Sequence, residues 1–457
     1  MSKTYRPYDP DQMFLMPPSV KDWLPAGHLA HFVADVVEGL DLEAIIGEYE
    51  REGRGQPPYH PTMMVKVLVY AYCVGLPSSR RIERALTEDV ALRYLAANNT
   101  PDFRTISDFR KRHLAALRGL FVQVLRLCQG AGMVKLGHVA LDGTKMKANA
   151  SKHKAMSYGR MKKTEAQLQS EVDAMLRRAE EVDEAEDAEY GRDKRGDELP
   201  PELAHREGRL KKIREVKEAL EREAREEAEA KTREAQAKRA LKGPHGVQPK
   251  ERDPLPKDKA QKNFTDPDSR IMPQPGDRLA FIQAYNCQAA VDGKEQVIVA
   301  ADVAQQTNDK RQATPLLEQV AKNTGAVPSK ASMDAGYFSR ENVEALRKMG
   351  VEAFIPPERR KHGEVIPPAP RGRIPAGLSP QELARRKLST ARGRAIYAKR
   401  KSIVEPVFGQ IKQGRGFRQF LLRGIEKVKG EWSLICTTHN LLKLWRNVGA
   451  KTALQAA

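Results

Sequence analysis

From about residue 157 to 240 the chain is too charged to bury a core of its own. Between Glu171 and Glu189 there are nine acids and two arginines, and lysine and arginine then mix with glutamate as far as "KRALKGP". Apolar positions are sparse and no heptad is sustained, a pattern that predicts a long exposed helical hairpin or arm, with Gly191 to Pro201 as its turn. Yet β-prone runs lie on both sides of it: "HVALD", ending at Asp142, and "RLAFIQAYNCQAAVD", ending at Asp292. Strands that can pair are separated by more than a hundred residues that cannot join them. The chain therefore has to fold as a core that sends out an insertion and takes the chain back, with the Pro-, Lys- and Asp-rich residues 243–275 as the return loop.

Ahead of the first strand, residues from about 27 to 130 read as helical. "HPTMMVKVLVYAYCVGL" is a strongly apolar helix that stops at Gly75 and Pro77, and Ser78 or Ser79 can cap "SRRIERALTEDVALRYLA". A third unit follows Pro101, with Thr105 or Ser107 as its cap. Short helices with Arg80, Arg81, Arg84, Arg110, Lys111 and Arg112 exposed suit a helical DNA-binding module. A helical bundle with a solvated basic face explains the same pattern equally well.

Beyond the arm, "RLAFIQAYNCQAAVD" and "EQVIVAADV" read as strands joined by the turn Asp292-Gly293. A helix ("DKRQATPLLEQVAKN"), a short strand ("SKASMD"), a helix ("SRENVEALRKMG") and a strand ("VEAFIPP") follow, before a basic loop over 357–390 and the C-terminal helices. Three strands that can form a meander, then alternating helices and strands, predict a mixed five-stranded α/β sheet with helices on its faces.

Charge narrows the partners. The 457 residues carry 79 Lys and Arg against 60 Asp and Glu, a formal net charge of +19. Such an excess favours a polyanion, either nucleic acid or an anionic membrane surface. There is no apolar run of the roughly 18 residues that suggest a membrane span and no apolar signal core in "MSKTYRPYDPDQMF", so nucleic acid is the expected partner. Cys73, Cys128, Cys287 and Cys436 form no Cys-x-x-Cys pair and read as reduced, buried thiols of a cytoplasmic protein.

Three acids stand at special places: Asp142 at the end of the first strand, Asp334 at the end of the fourth, and Glu405 near the start of a helix after the fifth. Hard divalent cations take oxygen ligands, and two of them held by carboxylates neutralise the attacking and leaving oxygens of a phosphodiester exchange. Each acid also has a plainer use. Asp142 before Gly143 suits a turn, Asp334 can cap the following helix, and Ser402 with Glu405 fits a capping box. Asp292, Asp302 and Asp309 also lie near strand ends, so position alone does not select the set.

Several motifs together resemble a known family. "ALDGTKMKA", "SMDAGYFS" and "YAKRKSIVEPVFGQIK", in this order, are similar to the motifs around the two aspartates and the glutamate of bacterial insertion-sequence transposases of the DDE type, in the insertion-sequence-four superfamily. "NFTDPDSRIM" followed by "AYNCQAAVD" resembles a further block of one branch, and "YHPTMMVKVLVYAYCVGLPSSRRIERA" resembles the helical leader of such enzymes. The likeness covers the chain apart from the arm. It implies a ribonuclease-H-like catalytic core over 136–152 and 276–457, a helical DNA-binding region over 1–130, and a charged insertion with its return loop over 153–275. It implies Asp142, Asp334 and Glu405 as catalytic ligands of Mg2+, with Mn2+ as a substitute. Tyr397, Arg400 and Lys412 would contact phosphates of double-stranded DNA, and Lys401 and Arg415 of the same basic strip, with Tyr337, the aromatic after the second aspartate, complete the expected DNA-binding set. From Arg392 to Lys429 there are eleven Lys and Arg against two acids, Glu405 and Glu426.

One departure is visible. Arg400 lies five residues before Glu405 where the usual motif has four, and Lys401 meets that spacing, so the arginine role can be split between them. Glu405 and Lys412, seven apart, would share one helix face, and Pro406 predicts that the helix begins or kinks near Glu405. The expected activity is end binding, metal-dependent cleavage and strand transfer by a homodimer assembled on DNA, in the bacterial cytoplasm at the nucleoid. A structure-specific nuclease on the same core would cut without joining. A non-enzymatic DNA-binding protein would use the arm as a partner-binding helix, which an intact acid triad argues against.

Overall fold

The computed structural model of the chain describes residues 19–50, 57–190, 201–240, 253–274, 277–359, 370–375 and 377–456. In chain order the helices α1 (Leu29–Glu38), α2 (Glu43–Glu50), α3 (Pro61–Cys73), α4 (Ser79–Glu88), α5 (Val90–Leu95), α6 (Phe103–Arg112) and α7 (Leu114–Gly130) come first. Strand β1 (Val139–Lys147) leads to β2 (Ala155–Ser157), then to the long helices α8 (Tyr158–Tyr190) and α9 (Pro201–Ala240). Next come β3 (Gln261–Asn263), β4 (Arg270–Gln274), β5 (Asp277–Asp292), β6 (Ile298–Ala304), α10 (Ala313–Thr324), β7 (Lys330–Ser332), α11 (Arg340–Lys348) and β8 (Glu352–Phe354). Helices α12 (Pro380–Ser389), α13 (Ala391–Gly409) and α14 (Ile425–Ala456) close the chain. Two compact units result, one of residues 1–144, 286–422 and 426–457, the other of residues 145–285 and 423–425.

In the first unit the helical leader forms around α3. His60 caps this helix through its Nδ1, and Pro61 takes a first-turn position where a missing N–H costs nothing. The apolar run that follows is buried on nearly every side by Val33, Val37, Ile82, Leu92, Leu120 and their neighbours. Arg110 is not on the surface as its composition suggested. It is buried, and donates to the Tyr72 hydroxyl at 3.1 Å and the Pro77 carbonyl at 2.8 Å. A guanidinium with five donors can tie a turn to a helix interior in a way the sequence does not announce.

The sheet of this unit runs β6–β5–β1–β7–β8. β5 and β6 are antiparallel, while β1 pairs with β7, and β7 with β8, in parallel. The expected meander and alternation are both present. Val139, Ala140 and Leu141 of β1 and Ile298, Val299 and Ala300 of β6 are fully buried, the continuous apolar runs of strands covered on both faces. Helix α14 is buried all round from Trp432 to Leu441, and its Asn440 amide pairs with both the N–H and the carbonyl of Ile298 at 2.8 Å. All four cysteines are buried and none is in a disulfide. No helix among the described residues is long and apolar enough to cross a membrane.

In the second unit, α8 and α9 pack on each other through a small cluster of Tyr158, Met161, Leu168, Leu210, Ile213, Val216 and Leu220. The expected turn at 191–200 lies outside the described residues. The return segment is not all loop: β3 pairs with β2, and β4 adds an antiparallel sixth strand against the first half of β5. Its polar, Pro-containing sequence hid these strands, and Pro273 in β4 is tolerated on a strand with one neighbour. Similarly, the basic loop over 357–390 contains α12, whose start is a full capping box between Ser379 and Glu382.

One buried base makes this fold acid-sensitive. His439 is enclosed in α14, with Nε2 donating to the Gln296 carbonyl at 3.1 Å, and burial beside Arg415, Lys443 and Arg446 drives its pKa down to about 3. The unfolded imidazole titrates near its ordinary value of about 6.5. Between those values the unfolded chain binds a proton that the folded chain refuses, so stability rises with pH in that window and is lost as pH falls below about 6.5. At about 1.4 kcal/mol per pH unit, this group alone removes about 2 kcal/mol between pH 7 and pH 5. Urea unfolding at both pH values should show that loss, and His439→Gln should flatten it by a similar amount. An unchanged slope in the variant would refute the assignment.

Candidate active site

β1 does not turn at Gly143 but runs straight through it to Lys147, so Asp142 is a mid-strand residue rather than a strand end. Next to it, β7 ends two residues short of Asp334, and the register Val139↔Ala331 and Ala140↔Ser332 carries the two aspartates out on the same side of neighbouring parallel strands. Asp334 also caps the short turn that follows, accepting from the Gly336 N–H at 2.8 Å. The plainer use thus coexists with the chemical one.

Both carboxyls resist ionisation. Burial raises Asp142 to about 6, with Asp334 adding to the rise and Arg400 opposing it. Burial also raises Asp334, with Asp309 pushing the same way and the Gly336 N–H and Arg400 opposing. Arg400 Nη1 donates to Asp142 Oδ2 at 2.8 Å from helix α13, while its Nε is buried with no partner among the described residues. A buried ion pair with an unmet guanidinium N–H is a setting for an anionic oxygen from elsewhere.

The residue that composition could not select is Asp309. Its Oδ1 accepts from Asn286 Nδ2 and Gln288 Nε2, both at 2.7 Å. Asn286 and Gln288 are two apart on β5 and therefore share a face. A methyl placed on Gly336 would stand 3.0 Å from Asp334 Oδ1 and 3.3 Å from Asp309 Oδ2, and one placed on Gly143 would stand 2.8 Å from Asp309 Oδ1. Asp309 thus joins the two aspartates. The available signal was the pair of amides in an otherwise apolar strand, "AYNCQAAVD".

Glu405 is placed differently. α13 begins at Ala391, capped by Thr390, so Glu405 lies near its end and Pro406 is inside it. A proline there leaves the Ser402 carbonyl without its helical partner, and Gln296 Nε2 fills the vacancy at 2.9 Å. The Ser402 hydroxyl donates back to the Lys399 carbonyl, so no capping box forms with Glu405. Glu405 is exposed, and among the described residues no three His, Cys, Asp or Glu side chains are close enough to form a complete cation site.

The basic strip divides. Lys412 sits in a π-helical turn, Gln410–Gly414, so the two-turn spacing from Glu405 does not hold as a regular helix face; its ammonium donates to the Thr144 hydroxyl, two residues beyond Asp142. Tyr397 is half-buried with its ring 5.9 Å from the Arg400 guanidinium, and Lys401 is exposed. Two residues leave the set of DNA contacts. Arg415 is buried and spends its guanidinium on Thr438 Oγ1 at 2.7 Å and the Ile435 carbonyl at 3.1 Å. Tyr337 is fully buried and donates to Gln288 Oε1. Neither can reach a phosphate without unpacking the core; Tyr337 instead fixes the amide that holds Asp309.

A divalent cation suits this donor set chemically. The groups are oxygens, and the charged forms of Asp142 and Asp334 are penalised by burial in a way a cation would relieve. Comparison with known proteins bears on the whole chain. No curated protein and no solved structure matches it. The family model described as Transposase domain (DUF772) matches residues 18–112, and that of the Transposase DDE domain matches residues 258–441. The second match contains Asp309, Asp334, Arg400 and Glu405 and leaves Asp142 outside, across the inserted arm. The mixed sheet with its helices fits such a catalytic domain, and the helical leader falls where the first match lies. Two transposase matches in the order the motifs led us to expect, together covering more than half of the sequence, establish that the chain belongs to the DDE transposases of insertion sequences.

Proposed function

We propose that this transposase binds the terminal inverted repeats of its element, cuts the DNA at those ends and joins the freed 3′ ends to target DNA. The observation that carries the reading is the juxtaposition of Asp142 and Asp334, two carboxyls with raised pKa values, bridged to helix α13 by Arg400. Asp142, Asp334 and Glu405 would hold Mg2+, the first two supported by the geometry and Glu405 by its motif. When bound, the metal would supply charge neutralisation on the attacking and leaving oxygens of the displacement. Arg400 holds Asp142 in place beside the scissile phosphate. Tyr397, Lys401 and Lys412 contact flanking phosphates, and Arg80, Arg81 and Arg84 on the exposed side of α4 meet the end sequence.

The functional regions we propose are the helical leader up to residue 130 for DNA binding, a ribonuclease-H-like core over 136–152 and 276–457, and the arm between them, with a homodimer forming on DNA. The test is purified protein with a supercoiled plasmid carrying the element's ends. Magnesium should produce double-strand breaks at the ends and, with pre-cut ends, joined products, and chelation should remove both. Cutting without joining would reduce the reading to a nuclease; neither product in magnesium or manganese would overturn it.

A further inference from the structure

Beside the N-terminal end of β1 lies a cavity of about 650 Å3, wholly within the first unit. Five lysines line it: Lys135 before β1, Lys294 after β5, Lys330 at the start of β7, Lys399 on α13 and Lys443 on α14. Two of them are engaged, Lys294 with the Gly132 carbonyl and Lys443 with Gln296 Oε1 at 2.7 Å. Lys135, Lys330 and Lys399 have no side-chain partner among the described residues. The acids nearby neutralise them only in part, two carboxylates against five lysines. Asp292 is buried and accepts from the N–H groups of Leu136 at 2.7 Å and Lys294 at 2.9 Å, which leaves Glu295 as the only other carboxylate in the lining.

Those lysines come from separate elements and line one cavity. His138, in the same lining, is held neutral by burial and by Lys330 and Lys399, while its Nε2 is 2.8 Å from Ser332 Oγ. Like charges brought together from separate elements repel at a cost to folding, which a bound anion would remove. Lysine is a point charge on a flexible stem, suited to a phosphate met in varied orientations rather than to one fixed carboxylate.

We propose that this cavity is a second phosphate-binding site, where Lys135, Lys330 and Lys399 hold backbone phosphates of DNA at a distance from the reacting bond. This rests on the DNA-processing reading above. Helix α13 ties the two places together, since Arg400 reaches Asp142 and its neighbours Lys399, Ser402 and Ile403 line the cavity. His138, just before β1, and Asp142 within it are four residues apart, about 13 Å in extended chain. That is about four base-pair steps of duplex, so DNA cut at the aspartates passes near the cavity a few nucleotides away. A free phosphate-bearing metabolite would use the same chemistry, and the experiment separates the two sources.

The full-length protein is titrated with a labelled duplex of arbitrary sequence at several salt concentrations. Each lost phosphate contact flattens the slope of log affinity against log salt by about 0.9. The triple variant Lys135→Gln, Lys330→Gln, Lys399→Gln should therefore lose roughly two to three units of slope, and Lys322→Gln with Lys348→Gln, exposed elsewhere, should lose none. In the unmodified protein, duplex should protect the three lysines from acetylation more than inorganic phosphate at equal phosphate concentration does. An unchanged slope in a folded triple variant overturns the proposal. So does equal protection by inorganic phosphate, which would mark a small-ligand site. If the unmodified protein binds no duplex at all, the DNA-processing reading itself fails; if it binds and cuts but the lysines do not matter, only the cavity's role does.

Discussion

Asp142→Asn and Asp334→Asn should each reduce end cleavage by at least about a thousandfold while duplex binding stays close to normal. The substitutions preserve shape and remove the charge that a hard cation needs, and losing one anionic ligand from a metal-assisted displacement removes several kcal/mol of transition-state stabilisation. Both carboxyls are ionised in the folded protein only against the penalty of burial, so Asp334→Asn should fold normally, whereas Asp142→Asn leaves the buried Arg400 without its counter-charge and should lose some stability. Glu405→Gln should be as inactive, whereas Asp309→Asn should retain measurable cleavage, because its main partners are the Asn286 and Gln288 amides. End cleavage measured for all four proteins, beside binding by the same proteins, decides the third ligand. If Glu405→Gln cuts normally and Asp309→Asn does not, the third carboxylate is Asp309 and the motif match at Glu405 misleads.

That ambiguity shows where sequence stops being legible. The charged stretch forces an insertion between strands, and the apolar runs after it define strands and helices by their period alone, so the order of β1, β5, β6, β7 and β8 could be read. Asp142 and Asp334 could be singled out only through the motifs around them, because Asp292, Asp302 and Asp309 also lie near strand ends. Asp309 could not, because its place depends on a loop between β6 and α10 and on two amides contributed by β5. Pairing across the sheet is a property of register, and register is not written in any local window. The same limit hid the roles of Arg110 and Arg415. A basic residue in a basic stretch reads as solvated, and only packing reveals that its donors are consumed by buried carbonyls and hydroxyls. Pro406 misled in the opposite direction. Of the two outcomes it suggested, a helix start or a kink, the start is excluded because α13 runs through it, and the orphaned Ser402 carbonyl has a partner in Gln296, which holds a left-handed backbone at φ 59°.

Gly143 was expected as a turn residue, and its actual task supports a sharper prediction. It lies in a strand, where glycine often marks the close approach of other groups. An added Cβ would meet Gln288 Nε2 at 2.5 Å, Asp309 Oδ1 at 2.8 Å and Asn286 Oδ1 at 3.0 Å. These are side-chain tips, but they cannot swing aside freely. Gln288 is fully buried, binds Asp309 with its Nε2 and receives the Tyr337 hydroxyl on its Oε1, while Asn286 also donates to the Gln306 carbonyl at 3.1 Å. Gly143→Ala must therefore shift β1 against β5 or break the amide pair, a repacking that costs about 1–3 kcal/mol. A displacement of about 1 Å next to Asp142 lowers a reaction that depends on alignment by about a hundredfold. The expected result is a folded, DNA-binding protein with cleavage reduced about a hundredfold. Gly119→Ala, in helix α7 with open space around its Cα, should be as active as the parent and slightly more stable. Near-parental cleavage by Gly143→Ala would mean that the three aspartates need not hold the arrangement they have here for the chemistry to proceed.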